Sequence, residues 1–408
     1  MQKEKQFPAP MTYESIYVIG WNHVWSGVVD GVVYSLVEGF THAGYRSKSI
    51  IFGRDKVPAN LADLLNTQDR KLVIGVTHTS LFFTIGEKSL WDLVDADFAT
   101  YFIDNPAFFA PNGLHHLLSA PERMKFLFSD NSHMQQFRSY LMAHEKQNDC
   151  IFFPFAANFQ ATRNQRTINC ISDAKIVIFA NVGQEAPQIF HQIEKGTNEF
   201  PIIQNSNLPS VKKSFLINDL PISNYDFDLY EFFSGYSARE HLYLDEDLLR
   251  LFLATDSYLK RYRRLFVIWQ LKQFNLEVYG SGWSTLAGDI SDKWTLHDTV
   301  NYNSQYGIFL NADFVLNVDP VWPSGIHDRV FNAMSCGAIP ITNFNKLTSF
   351  FLNAGLDAVV YKAATDIPEQ LRSISNNINR AKQLALKTFK SQHQWKHRIN
   401  ILVEHFRE

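Results

Sequence analysis

Short apolar runs rich in β-branched and aromatic residues recur along this chain, and segments with helical spacing lie between them. The first run is SIYVIG, from Ser15 to Gly20. After it, Val29, Val32, Val33, Leu36, Val37 and Phe40 fall on one face of a helix, and Gly44 suits its C-terminal stop. SKSIIFG, KLVIGVTH, ATYFID, KFLFSD and DCIFFPFA continue the series. Such runs are too short and too apolar to have one face in water. Alternating with helices, they predict a parallel α/β sheet covered on both sides.

A polar stretch over residues 160–172 has no apolar periodicity and reads as a linker. A second series follows: AKIVIFANVG, a helical region from about Asp245 to Phe274, NLEVYGSGW, DFVLNVDP and AIPITN. The expected architecture is α/β, with two doubly wound, Rossmann-like domains facing a central cleft. Residues 1–165 form the first and 166–385 the second. The stretch from Asn377 to Phe406 reads as helical throughout, with 386–408 packing back on the first domain. A length of 408 residues allows two or three domains at roughly 150 residues each.

Composition narrows the function. With 46% hydrophobic and 19% charged residues the chain has the apolar surface an ordered protein needs. Thirty-eight basic against 41 acidic residues leave a net charge of −3, which argues against a nucleic-acid partner. Cys150, Cys170 and Cys336 are too widely spaced for a zinc site or a disulfide framework. The first residues lack the apolar core of a secretory signal. The most apolar window, Ile16 to Val37, contains Asn22, His23 and Asp30, so no transmembrane segment is expected and a cytoplasmic location follows.

Ligands of parallel sheets bind at the carboxyl ends of strands, where glycines let backbone N–H groups approach a phosphate. GWNHVWSG, ANVG (ending at Gly183), YGSGW (Tyr279 to Trp283) and SCGAIP are such loops, although each is equally readable as a tight turn. Neither GxGxxG nor a P-loop occurs. The segment SGIHDRVFNAMSCGAIPITN sets His327, Asp328 and Arg329 just ahead of an apolar helix. An arginine at a helix start opposes the macrodipole and calls for an anionic partner, either a ligand phosphate or a nearby aspartate. In the first half His23, His78 and Asp104 follow strands and are the candidates for a catalytic base, against structural roles as buried histidines or a turn former. Asp95-Ala96-Asp97 precedes a strand instead of following one, so no metal site is assigned there.

Five of these segments, in order, resemble the CgeB-like, GT-B-fold glycosyltransferases of the group 1 superfamily. FPFAANF resembles the strand that closes the family's first domain, and AKIVIFANVG the strand that opens its second. RYRRLFVIWQLKQFNLEVYGSGW, then FVLNVDP with SGIHDRVFNAMSCG, then SQHQWKHRINILVEHF resemble the motifs that follow. The resemblance implies transfer of a sugar from a nucleotide-diphosphate sugar to a glycan, lipid-linked or protein acceptor, with no metal and no permanently bound cofactor. The acceptor would face the N-terminal domain and the donor the C-terminal one. Carried over, Gly183, Gly280, Ser281, Gly282 and Trp283 would line the donor cleft, and Asn317 would end the strand beneath it. Arg329 would face the diphosphate, with His327, Asp328 and Asn332 beside it. His297, near Trp294, would neighbour the base.

One departure stands out. The family commonly carries two glutamates separated by seven residues, and here Ser324 and Asn332 occupy those positions. Asn332 can still hydrogen-bond a ribose hydroxyl. The alternatives are a binding protein that has lost catalysis and a nucleotide-sugar epimerase; the latter needs cleft carboxylates that the second half lacks.

Overall fold

The computed structural model describes residues 13–22, 27–53, 57–58, 60–77, 80–112, 114–160, 171–195, 213, 219–220, 227–237, 241–286, 291–318 and 322–406. The first half contributes β1 (Ser15–Asn22), β2 (Arg46–Gly53), β3 (Lys71–Val76), β4 (Thr84–Ile85), β5 (Lys88–Ser89), β6 (Asp97–Phe102), β7 (Lys125–Phe128) and β8 (Cys150–Phe152). All but β4 and β5, a small antiparallel hairpin, form one parallel sheet in the order β2-β1-β3-β6-β7-β8. The second half contributes β9 (Ile176–Phe179), β10 (Leu276–Tyr279), β11 (Trp294–His297), β12 (Phe314–Leu316), β13 (Ile339–Asn343) and β14 (Val359–Tyr361). They form a second parallel sheet, β11-β10-β9-β12-β13-β14. Every residue of β3, β9 and β13 is buried, as strands covered on both faces require.

The two sheets are wound differently. In the second the chain runs outward from β9 on one side, then returns to add β12 on the other, which is the Rossmann order. In the first, only β2 lies beyond β1. Each order has a reversal point, between β1 and β3 and between β9 and β12, where flanking loops diverge and leave a crevice.

The strand period of two explains where many of the 34 phenylalanines go. On one face of the first sheet Phe102 stacks on Phe128 with centroids 4.9 Å apart, and Phe137 packs 5.3 Å from Phe102. Truncating one of these rings would cost about 3–5 kcal/mol. On the other face Tyr101 and Phe153 meet Trp395 from the last helix, at 6.4 and 5.6 Å.

Two features differ from the sequence reading. The final stretch is two helices, Ile378–Gln392 and Trp395–His405. The break falls where Ala157 exchanges backbone hydrogen bonds with His393 and Trp395, at 3.2 and 3.1 Å. Beyond it, Trp395 Nε1 donates to Ser35 Oγ in helix Val28–His42 (2.8 Å), and a Cβ on Gly39 would stand 2.4 Å from Trp395 Cβ. FPFAANF, in turn, does not form a strand: β8 ends at Phe152, and in that segment only Ala157 makes a bridge, to Gln394.

The halves also touch at Asp130, which is fully buried. Its Oδ1 accepts from His133 N and caps helix Asn131–Ala143, while Oδ2 accepts from Ser324 N (2.9 Å). Asn131 N donates to Ser324 O, and Ser132 Oγ to Ser324 Oγ. No helix among the described residues is long and apolar enough to cross a membrane.

Candidate active site

A cavity of about 380 Å³ opens between the carboxyl edges of the two sheets. Thr77, Ile103, Asp104 and Phe109 line its first wall, with the start of helix Val28–His42. Tyr302, Gln305, His327, Asp328 and Arg329 line the second. A larger recess of about 520 Å³, which includes Lys71, Asp95 and Asp97, lies at the amino edge of the first sheet. Parallel sheets bind ligands at the opposite edge. Asp97 is moreover engaged there by the Tyr13 hydroxyl and by Arg70 at 3.8 Å.

The second wall is built on helix Asp328–Ser335, with His327 as its N-cap. Asp328 is fully buried, and burial alone would push its carboxyl up. The His327 imidazole, the Tyr302 hydroxyl and the Arg329 charge outweigh that and hold it at about 2. His327 Nδ1 lies against Asp328 Oδ1, and the Tyr302 hydroxyl donates to Oδ2. Asn332, one turn on, donates from Nδ2 to Tyr302 Oη (2.9 Å) and to Asp328 Oδ2 (3.2 Å). Its Oδ1 accepts from Tyr306 Oη at 2.9 Å. Asp328 raises the phenol of Tyr302, after burial itself, so that Tyr302 stays a proton donor. Half-buried Arg329 donates from Nη1 to Asn317 Oδ1 (3.1 Å), and Asn317 Nδ2 donates to Thr342 Oγ1 (3.2 Å). Buried Asn317 thus steadies the guanidinium at the cavity from below.

Tyr302 also seats the halves on each other. A Cβ on Gly31 would lie 2.0 Å from the Tyr302 ring, so the ring packs directly on the backbone of helix Val28–His42.

On the first wall, Asp104 is exposed at the end of β6. The turn there is made by its neighbour: Asn105 Oδ1 accepts from Ala107 N at 2.9 Å. That leaves the Asp104 carboxylate to the cavity. Thr77 adopts φ +67°, a left-handed conformation that a β-branched residue rarely takes. His23 and His78 lie outside the described residues.

The glycine loops meet one another beyond β9 and β10. A Cβ on Gly280 would stand 2.0 Å from Ala180 O, and one on Gly282 2.8 Å from Gly183 N. Gly183, Gly280 and Gly282 have φ of +68°, +152° and +87°. Ser281 N donates to Asn181 Oδ1 (2.8 Å), and Val182 N to Ser281 O (3.1 Å). These glycines let two loops interlock, and the Ser281 amide is used within the protein. Trp283 is buried beneath them, its Nε1 donating to Ala180 O (2.6 Å), so it supports the loop. His297 ends β11 with its ring stacked on Tyr279 at 4.2 Å.

Of the residues singled out in the sequence, the cavity gathers Asp104, His327, Asp328 and Arg329, with Asn317 and Asn332 directly behind. It does not gather Gly183, Gly280, Ser281, Gly282, Trp283 and His297, which cluster at the ends of β9, β10 and β11. Tyr302 and Thr77 were missed. No pattern marks Tyr302, because its partners lie 26 and 271 residues away.

This is the GT-B fold: two Rossmann-like domains with a cleft at their carboxyl edges. Residues 261–404 match a family described as Glycosyl transferase-like. An α-glucosyltransferase solved with UDP and a 13-mer DNA containing an HMU base has a TM-score of 0.51 at 10% identity, over 97% of this chain and 99% of that one. Sucrose-phosphate synthase from Thermosynechococcus elongatus has a TM-score of 0.50 at 10% identity, over 97% and 98%. TarM has a TM-score of 0.42 at 9% identity, over 83% of this chain, which spans only 55% of TarM. No curated protein sequence matches the chain.

Proposed function

We propose that this protein is a glycosyltransferase of the CgeB-like kind. It moves a sugar from a nucleotide-diphosphate sugar to a glycan, lipid-linked or protein acceptor without a metal. In this reading residues 1–165 hold the acceptor and 166–385 the donor, and 386–408 tie the two together. The observation that carries it is Arg329, buttressed by Asn317, at a helix N-terminus on one wall of a cleft whose other wall carries Asp104. UDP in the α-glucosyltransferase structure supports a nucleotide donor.

In the transfer step the bond from the anomeric carbon to the β-phosphate oxygen breaks, and its electron pair leaves with the diphosphate. Arg329 and the amides of the helix start offset that charge with dipoles already in place. The acceptor hydroxyl bonds to the anomeric carbon and gives up its proton to a base. Asp104 is the described candidate; His23 and His78 are the others that the sequence offers.

The second reading, a donor-binding protein without catalysis, is favoured by one observation. The side chains of Ser324 and Asn332, which stand where the family has glutamates, are both taken up in hydrogen bonds within the protein, with Ser132 Oγ and with Tyr302 Oη. A thermal-shift panel of UDP-, GDP-, ADP-, CMP- and dTDP-sugars tests donor binding, since a ligand of the native state raises its stability. At least one should stabilise the protein, and Arg329→Ala should abolish the response. Silence from the whole panel would reject both readings.

A further inference from the structure

We propose that the recess at the amino edge of the first sheet binds a small, hydroxyl-bearing phosphomonoester, anchored on the ammonium of Lys71. This site is separate from the cleft and does not depend on the donor reading. Lys71 opens β3 and is only 3% exposed. Its Nζ donates to Thr67 O at 2.5 Å, and both residues line the recess of about 520 Å³. That bond uses one of the three ammonium donors. Among the described residues no carboxylate comes within ion-pair reach of Lys71. A buried cation without a counter-charge is costly, so an anion that reaches it relieves that cost. The preference of parallel sheets for the carboxyl edge concerns the crevice where strand order reverses. Here the anchor is a side chain and needs no such crevice.

The other charges of the recess leave Lys71 to a ligand. Asp69 accepts from Ser15 Oγ and from Arg46 Nη2, both at 3.3 Å. Asp97 accepts from the Tyr13 hydroxyl and pairs with Arg70 at 3.8 Å. Arg123 donates from Nη2 to Trp91 O (3.3 Å) and, like Lys71, has no carboxylate in reach among the described residues. The sheet sets these two cations on either side of one strand. β6 lies between β3 and β7, with Leu72 opposite Asp97 and Ala99 opposite Lys125. Lys71 and Arg123 therefore flank the start of β6, two strand spacings or roughly 10 Å apart at the backbone. Two long side chains can meet a phosphate across that gap. Asp95, exposed on the wall beside Asn66, Thr67 and Gln68, suits hydroxyl groups and repels an apolar body. The volume falls within the range of small-molecule sites and leaves room for more than a phosphate.

The test is calorimetric titration of the whole protein, in phosphate-free buffer, with ribose 5-phosphate, inorganic phosphate and ribose. Ribose 5-phosphate should bind, phosphate should bind more weakly, and ribose should give no signal. Lys71→Met should weaken ribose 5-phosphate roughly 10- to 100-fold. Arg123→Gln, at an exposed position, should weaken it roughly two- to fivefold and carries the test if Lys71→Met does not fold. Arg329→Ala should bind it as wild type does, which separates this site from the cleft. Three results would overturn the proposal: no binding of ribose 5-phosphate, unchanged affinity in folded Lys71→Met or else in Arg123→Gln, or loss of binding in Arg329→Ala.

Discussion

Asn332 donates its amide proton to the carboxylate of Asp328, one helical turn earlier and 3.2 Å away. Position 332 therefore carries a neutral donor, and the negative charge of this cluster lies on Asp328. A carboxylate at 332 would face a buried carboxylate, and like charges at that range cannot both ionise without a large penalty.

Asn332→Asp should accordingly destabilise the protein by about 3 kcal/mol at pH 7.5. The introduced acid would have a raised folded-state pKa, so the penalty should shrink as pH falls towards 5. Urea unfolding at the two pH values measures this, and an equal loss at both would count against a charge conflict.

The Tyr302 ring leaves no room at Gly31. Gly31→Ala should cost about 1–3 kcal/mol through overpacking, because both the helix and the ring would have to move. Tyr302→Phe, which keeps the ring but not the hydroxyl, should preserve the seat between the halves and disturb only the Asp328 network. Melting temperatures of the two variants distinguish these roles.

His241 predicts acid sensitivity at a further contact between the halves. Burial lowers its pKa to about 4. Its Nε2–H donates to Gln136 O (3.1 Å), and Nδ1 accepts from Tyr243 N (3.2 Å), a pattern that only the neutral ring satisfies. A histidine held neutral contributes stability that is present above its unfolded value of about 6.5 and is lost as pH falls towards 4. Its share is about 3 kcal/mol at neutral pH. Unfolding free energy should fall between pH 6.5 and 4.5, and less steeply in His241→Gln.

Much of this was legible in the chain, for definable reasons. The period-two runs and the helix of Val32, Leu36 and Phe40 carry their own signal, so the two sheets could be read directly. Arg329, which sits at the wrong end of a helix dipole in the sequence, lies on the cavity wall. The glycines of YGSGW carry no such label, because a glycine that lets a phosphate approach and one that lets another loop approach look the same in sequence. The break at His393 was invisible because Ala157, which causes it, lies 236 residues earlier. Tyr302 was missed likewise, since its importance comes from partners brought to it only by folding.

Arg329 is the residue through which the cleft is proposed to act on a nucleotide sugar. The most direct measurement is release of nucleoside diphosphate from the sugar that stabilises the protein best, in wild type and Arg329→Ala under identical conditions. Wild type should release it, slowly to water and faster with a suitable acceptor. Arg329→Ala, still folded, should be slower by roughly 100-fold or more. Equal rates in the two proteins would contradict the account.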